Sequence, residues 1–532
     1  MNRRTFIGFG LATGASLALS ACNKLFGQTD NMAGHDMSKM GHDMGGMGNM
    51  QGMMGGNTNL LPTSALPSGA PLAALALLKN ESTTPNTFKA TLTTKETTVE
   101  LVKGKPTTFW TYNDQVPGAQ IVVNEGDTVE ITLHNTLSQA TTIHWHGLPV
   151  PPEQDGNPHD AVAPNQSRTY KFSLPEGSAG TYWYHTHAHG FAAEQAFRGL
   201  AGSFIVKAKN DPLAHLPEQH WLISDLRLDA NGKIPANDMM DWMNGREGQF
   251  ALINAQHQPK ITLQGNERVR IWNACSARYL NLSIPNCEFI VVGTDGGLIE
   301  KPASPVSELL IAPAERFEVI IRAKQSGTFP LSSLPYDRKK MMVDYKPETM
   351  LLANVTVQAN TVQLPTQLRT IADFGAATAS KKVTFSEMAM DQMMGQMQGG
   401  MGGMKHDMSN MSGMSQSQMM MSGMFYVNEK SFDMQRIDMT VKAGEVEEWT
   451  ISNNSHMDHP FHLHGTQFLI LEHINGGKST KPAYRALKDT VNLKPDEQVR
   501  IKTVQRHKGL RMFHCHILEH EAVGMMAQMQ VV

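Results

Sequence analysis

The chain has 532 residues, too many for one core; at roughly 100–200 residues per domain it holds three or four domains. Its formal net charge of −3 leaves no basic footprint, so no nucleic-acid partner is expected. Four cysteines exclude a disulfide scaffold, whereas 36 methionines and 22 histidines make the chain rich in soft sulfur and imidazole.

In chain order, residues 1–22 read as an export signal. Arg3-Arg4 followed by Thr5-Phe6-Ile7 resembles a twin-arginine signal, and a mostly apolar stretch runs from Phe6 to Leu19. Leu19-Ser20-Ala21-Cys22 resembles a lipobox, which would put a lipid anchor on Cys22; the alternative is ordinary cleavage with Cys22 incidental. A periplasmic or otherwise extracytoplasmic location is expected, with the lipid form held at the outer membrane. No later stretch is long and apolar enough to span a bilayer. Residues 23–85 read as a Met/Gly-rich flexible linker. Cys275 and Cys287 either pair in an oxidising compartment or stand as two buried thiols, because sequence does not place their Cβ atoms.

Beyond the linker the chain carries a threefold repeat. Gly126 leads to Ile131-Thr-Leu133-His-Asn135, Gly265 to Val269-Arg-Ile271-Trp-Asn273, and Gly444 to Trp449-Thr-Ile451-Ser-Asn453. Each is a glycine turn and then a period-2 alternation ending in asparagine, the mark of a half-buried strand. A later strand in each unit ends in a second glycine turn, at Gly180, Gly327 and Gly509. No long helical period intervenes. The reading is all-β, with three Greek-key β-sandwich domains of one ancestry at 86–212, 213–375 and 376–532.

The residues after these landmarks differ between units. The first carries His144-Trp-His146 and His185-Thr-His187; the third carries His459, His462-Leu-His464 and His514-Cys515-His516. The middle unit has no equivalent. A metal cluster shared between domains 1 and 3 is implied, with domain 2 as spacer. In a strand, His-x-His puts both rings on one face about 7 Å apart. Eight imidazoles alone do not name the metal. Copper is named by His459, Cys515, His520 and Met525: two histidines, a cysteine and a weak axial methionine form a blue-copper ligand field. Cys515 would hold one copper while His514 and His516 hold others. Electrons would enter singly at Cys515 and leave in fours to dioxygen.

These four motifs resemble those of the multicopper oxidases over about residues 86–532, which implies cupredoxin-like domains and four copper ions. By that resemblance His459, Cys515, His520 and Met525 hold the type 1 copper, and His144 and His462 the type 2 copper. His146, His185, His187, His464, His514 and His516 hold the type 3 pair. Every expected ligand is present, unlike in relatives that have lost their copper. Asp155 and Glu521 match acids that serve the type 2 water and the proton relay. His189, His134, His159, His456 and His507 are not expected to be ligands.

Methionine gathers in two tracts, with 8 residues in 31–55 and 14 in 385–424. Glycine and serine are too frequent there for a packed core. Thioether sulfur favours Cu(I). The second tract, read as an insert of domain 3, resembles that of the bacterial periplasmic cuprous oxidases of the copper efflux type. That implies a substrate Cu(I) near Met390, Met393 and Met457. Gly395 and Ser455 stand where the family has acids, so Asp391 and Asp458 are the expected substitutes. The expected function is Cu(I) oxidation coupled to reduction of dioxygen to water, by a monomer, in copper tolerance. A laccase-like oxidase of phenols or amines is the alternative, and a copper-sequestering protein is the alternative of another class.

Overall fold

In the computed structural model the described residues are 59–343, 346–389 and 414–532. The export signal with Cys22, the first methionine tract, Met390, Asp391 and Met393 lie outside them.

Three two-sheet sandwiches succeed one another along the chain. In the first, one sheet orders Lys105–Tyr112, Thr87–Val102, Thr128–Asn135 and Ser167–Ser173; the other orders Gly118–Asn124, Ala201–Lys207, Gly180–His185 and His144–His146. Thr87–Val102 runs parallel to Thr128–Asn135, and Gly118–Asn124 parallel to Ala201–Lys207; the remaining pairs are antiparallel, as a Greek key requires. The second and third sandwiches each pair a seven-stranded with a five-stranded sheet. Cores are built by alternation: Val446–Asn453 buries every second side chain completely.

The asparagine that ends each repeat strand has a common role. Asn135, Asn273 and Asn453 are all buried. Each accepts the backbone N–H two residues on, at 3.0, 3.1 and 3.0 Å, and so closes an Asx turn. Each side-chain amide then donates to two carbonyls, one of them four or five residues downstream, in Gln139, Arg278 and Met457. The repeat therefore fixes the loop beyond it, and in domains 1 and 3 that loop leads into the first histidines.

Three expectations change and one open alternative is decided. Arg268–Asn273 is buried on both faces, not one. Its outward arginines, Arg268 and Arg270, share Glu318, whose carboxylate also accepts from Thr181 of domain 1, and pair further with Asp211 and Glu218. This strand is covered by the first sandwich, as Trp272 Nε1 donating to the Tyr182 carbonyl at 2.6 Å shows. Residues 59–85 are not a free linker. Leu61 and Leu66 are buried, and the N–H groups of Leu61, Leu72 and Leu78 donate to Leu228, Lys260 and Gln120. Nor is all of 385–424 without a packed core: Ala379–Glu387 is a strand, Phe385 is buried, and Gln416–Met421 is a helix capped by Ser415. Finally, Cys275 and Cys287 are both buried and free, so they form no disulfide.

Candidate metal centre

Two short strand pairs carry the histidines. In domain 1, His144–His146 pairs with Gly180–His185 so that His144 faces His185. In domain 3, His459–Leu463 pairs with Gly509–Cys515 so that His462 faces His514. The same cross-strand place in the two repeats thus holds a histidine pair. The domains then interleave: the His144 ring stacks on His464 with centroids 3.9 Å apart, and His146 on His462 at 3.7 Å. All eight rings are fully buried.

Their nitrogens converge in three groups: His144, His462 and His464; His146, His185 and His516; and His187, His464 and His514. Nε2 of His144 lies 3.3 Å from that of His462, and Nε2 of His514 lies 3.1 Å from those of both His187 and His464. The outer nitrogens are tied back. Nδ1 donates to a backbone carbonyl in His144 (Asp155, 2.9 Å), His185 (Thr186, 2.7 Å), His462 (Asp489, 2.8 Å) and His514 (Cys515, 2.8 Å). Such bonds fix the tautomer and leave Nε2 as a lone-pair donor. Nε2 of His146 and His185 and both nitrogens of His516 are buried without a partner, an arrangement that costs stability unless a metal takes them. Burial, with neighbouring histidines, holds His146, His185, His187, His462, His464 and His516 well below the usual imidazole range. They are neutral and ready to ligate, so the residues fit copper.

A separate group holds His459, Cys515 and His520. Nδ1 of His459 lies 3.4 Å from the Cys515 sulfur and 3.2 Å from Nδ1 of His520. Nε2 of His520 donates to the Met243 carbonyl of domain 2 at 3.1 Å, which turns its Nδ1 inward. Met525 is fully buried, and its carbonyl accepts the Cys515 N–H. Burial raises the Cys515 thiol far above its ordinary range, so the thiolate needs a cation to form.

The two predicted acids each face two histidines of the cluster. Asp155 reaches His144 Nδ1 at 3.2 Å and His464 Nδ1 at 3.3 Å, and pairs with Arg511 at 2.7 Å. Burial pushes its carboxyl up, but Arg511 and His144 together outweigh that and hold it below the carboxylate range. Glu521 stands 3.7 Å from His187 Nδ1 and 3.6 Å from His514 Nδ1, a spacing that suits water bridging. Burial, then Glu519, raises its carboxyl to about 8. Sequence reasoning missed Glu519, itself buried and raised to about 7. It also missed Arg511, Asp489 and Arg316.

A signal for Asp489, Arg316 and Arg511 was present in the glycine directly after two of the four His-x-His motifs. A Cβ on Gly147, at φ 85°, would lie 2.0 Å from an Asp489 carboxylate oxygen; one on Gly465, at φ 66°, would lie 2.1 Å from Arg511 Cζ. Gly147→Ala is expected to cost about 2–5 kcal/mol from left-handed strain and overpacking. Thermal melting and copper content would both fall; an unchanged midpoint would show that the pair relaxes freely.

The substrate-copper set fares less well. Met457 is fully buried in the core that includes Cys515. Asp458 is buried, and its Oδ2 accepts from Tyr336 at 2.6 Å and Asn492 at 2.7 Å. Among the described residues no metal-holding group includes His189, whose ring packs on Phe432.

Fold and site together define a three-domain cupredoxin-like protein with a cysteine-containing metal site beside a histidine cluster split between its first and last domains. Models described as multicopper oxidase match residues 93–211, 179–349 and 404–532. The multicopper oxidase mco of Staphylococcus aureus is 31% identical over 85% of this chain and 93% of its own. The laccase of Bacillus subtilis is 25% identical over 80% and 90%. A solved structure described as a multicopper oxidase from Campylobacter jejuni, a metallo-oxidase, has a TM-score of 0.83 and 50% identity, covering 89% of this chain and 98% of that one. The chain belongs to the multicopper oxidase family. Four coppers are that family's cofactors, and dioxygen and a reducing substrate are its reactants.

Proposed function

We propose that this protein oxidises Cu(I) to Cu(II) and passes the electrons to dioxygen, in copper tolerance outside the cytoplasm. When bound, the coppers accept single electrons and deliver four to dioxygen. The type 1 copper is held by His459, Cys515, His520 and Met525; the type 2 copper by His144 and His462. The type 3 pair is held by His146, His185, His187, His464, His514 and His516. The observation that carries this reading is the position of Cys515. Its sulfur belongs to the His459–His520 group, while His514 and His516 on either side belong to groups completed by domain 1. A continuous covalent path therefore links the two kinds of site. The chain's own part is to keep the ligand side chains neutral, oriented and dry.

Support for Cu(I) comes from the surroundings of Cys515. Met239, Met243, Met388, Met421 and Met424 share its hydrophobic cluster. The helix Met239–Asn244 meets the helix Gln416–Met421 through Trp242 Nε1 donating to Ser417 at 3.1 Å. Soft thioethers so placed suit a cuprous substrate and crowd out bulky organics. The description of the Campylobacter protein as a metallo-oxidase agrees, whereas the Bacillus relative's name supports the laccase-like alternative.

The test removes residues 390–413 only, because Phe385 and the helix Gln416–Met421 pack around the type 1 ligands. Oxygen uptake with Cu(I) is expected to fall about tenfold while uptake with a phenol holds or rises. Unchanged Cu(I) oxidation in the shortened chain would remove the insert from the reading. The twin-arginine and lipobox patterns are tested by fractionation and by mass of the mature N-terminus.

A further inference from the structure

We infer that Arg316, on the middle domain, is a positioning residue for the copper cluster and acts mainly through Asp489, with its Nη1 also 3.3 Å from His146 Nδ1. This rests on the proposed ligand assignment. Arg316 is fully buried, and its guanidinium grips Asp489 with both ends: Nη1 donates to Oδ1 at 2.7 Å and Nη2 to Oδ2. Its Nε donates to the Thr181 carbonyl at 2.8 Å and Nη1 also to Ala314. The fork is therefore tied on every side. Asp489 in turn faces two ligands. Its Oδ1 lies 3.4 Å from His146 Nδ1, and its backbone carbonyl accepts from His462 Nδ1 at 2.8 Å. Asp295 of the middle domain accepts the backbone N–H of both Arg316, at 2.8 Å, and Asp489, at 3.3 Å.

The arrangement repeats that of Asp155. Asp155 holds His144 of domain 1 and His464 of domain 3 and is clamped by Arg511. Asp489 holds His146 of domain 1 and His462 of domain 3 and is clamped by Arg316. The Asp489–Arg316 pair closes over Gly147, and Arg511 over Gly465, each glycine next to a His-x-His motif. All four inner ligands of the two motifs are thus set by two aspartates, through backbone carbonyl or carboxylate, each with its own arginine. A buried ion pair is weak evidence for stability, since apolar residues often replace one without loss. A carboxylate or carbonyl behind a ligating histidine raises its basicity and fixes its ring. With both oxygens gripped by Arg316, Asp489 is fixed beside His146 and His462, with which it forms a further close group of ligand atoms. Domain 2, expected as a spacer, so supplies the clamp.

The test uses copper-loaded full-length protein. Arg316→Met and Asp489→Asn are compared in a chelator titration read by the type 2 electron paramagnetic resonance signal and by type 1 blue absorbance. Each is expected to lose type 2 affinity by about 10–100-fold, with altered hyperfine splitting and intact blue absorbance. The double variant is expected to be no worse than either single one. Arg268→Met, which breaks a buried pair that touches no histidine, is the control and should keep the type 2 signal. Arg316→Lys, which keeps the charge and loses the fork, should fall between and serves if Arg316→Met does not fold. Type 2 affinity within about twofold of the parent in the arginine variants, or equal loss of both signals in them and in Arg268→Met, would overturn the inference. His462→Ala distinguishes the levels: if the type 2 signal survives it, the ligand assignment itself fails and the inference with it.

Discussion

Cys515→Ser is expected to abolish the blue absorbance and to lower oxygen consumption by about a thousandfold or more, a loss of about 4 kcal/mol of transition-state stabilisation. The sulfur is fully buried and sits 3.4 Å from His459 Nδ1 and 4.0 Å from His520 Nδ1. The Ile517 N–H points at it from 3.4 Å, which leaves the side chain one orientation. Serine offers a hard, protonated oxygen there, which does not replace a thiolate toward copper. His514 and His516 keep their backbone and their domain 1 partners, so the cluster signals should persist. That separation decides between enzyme and store. A copper-sequestering protein would protect cells equally well with serine at 515. An oxidase would lose protection along with oxygen uptake. Retained protection without turnover would move the function from the cluster to the methionine tracts.

The ligands were legible because they are local. Each His-x-His pair lies on or at the end of a single strand, and the asparagine repeat marks which strands correspond. Cys515, His520 and Met525 fall at five-residue intervals along the chain. The groups behind the ligands were not legible, because they meet only in the folded chain. Arg316 reaches a carboxylate 173 residues away, and Arg511 one 356 residues away. Nothing in either local sequence marks a buried arginine as paired. Alternation misled at Arg268 and Arg270 for a similar reason: the outward face of that strand is the inward face of a domain contact. Composition misled at the edges of low-complexity tracts. Glycine and serine surround Gln416–Met421, yet Met421 is buried and Gln418 Nε2 donates to the Gly190 carbonyl at 2.8 Å. The same applies to residues 59–85, where single leucines anchor a segment whose composition reads as linker.

The acids near the cluster give the second large effect. Glu521→Gln is expected to keep full blue absorbance and fast reduction of the type 1 site, but to slow reoxidation by dioxygen about a hundredfold. Taking dioxygen to water consumes protons as well as electrons, and the interior around the cluster is dry. Glu521 faces two ligands from different domains, His187 and His514, at 3.7 and 3.6 Å. Glutamine preserves its size and polarity and removes its ability to give up a proton. The change therefore tests proton supply with little structural disturbance, since neither oxygen of Glu521 anchors an arginine. Asp155→Asn makes the contrast. It leaves Arg511 buried beside a neutral amide, and breaking such a pair costs about 3–5 kcal/mol. Slower reoxidation in that variant should come with lower stability and weaker hold on the type 2 copper. The two acids then separate by their side effects: a proton donor whose loss is purely kinetic, and a clamp whose loss is also structural. Full turnover in Glu521→Gln would remove the relay from the mechanism and leave Glu521 as a buried acid without a task.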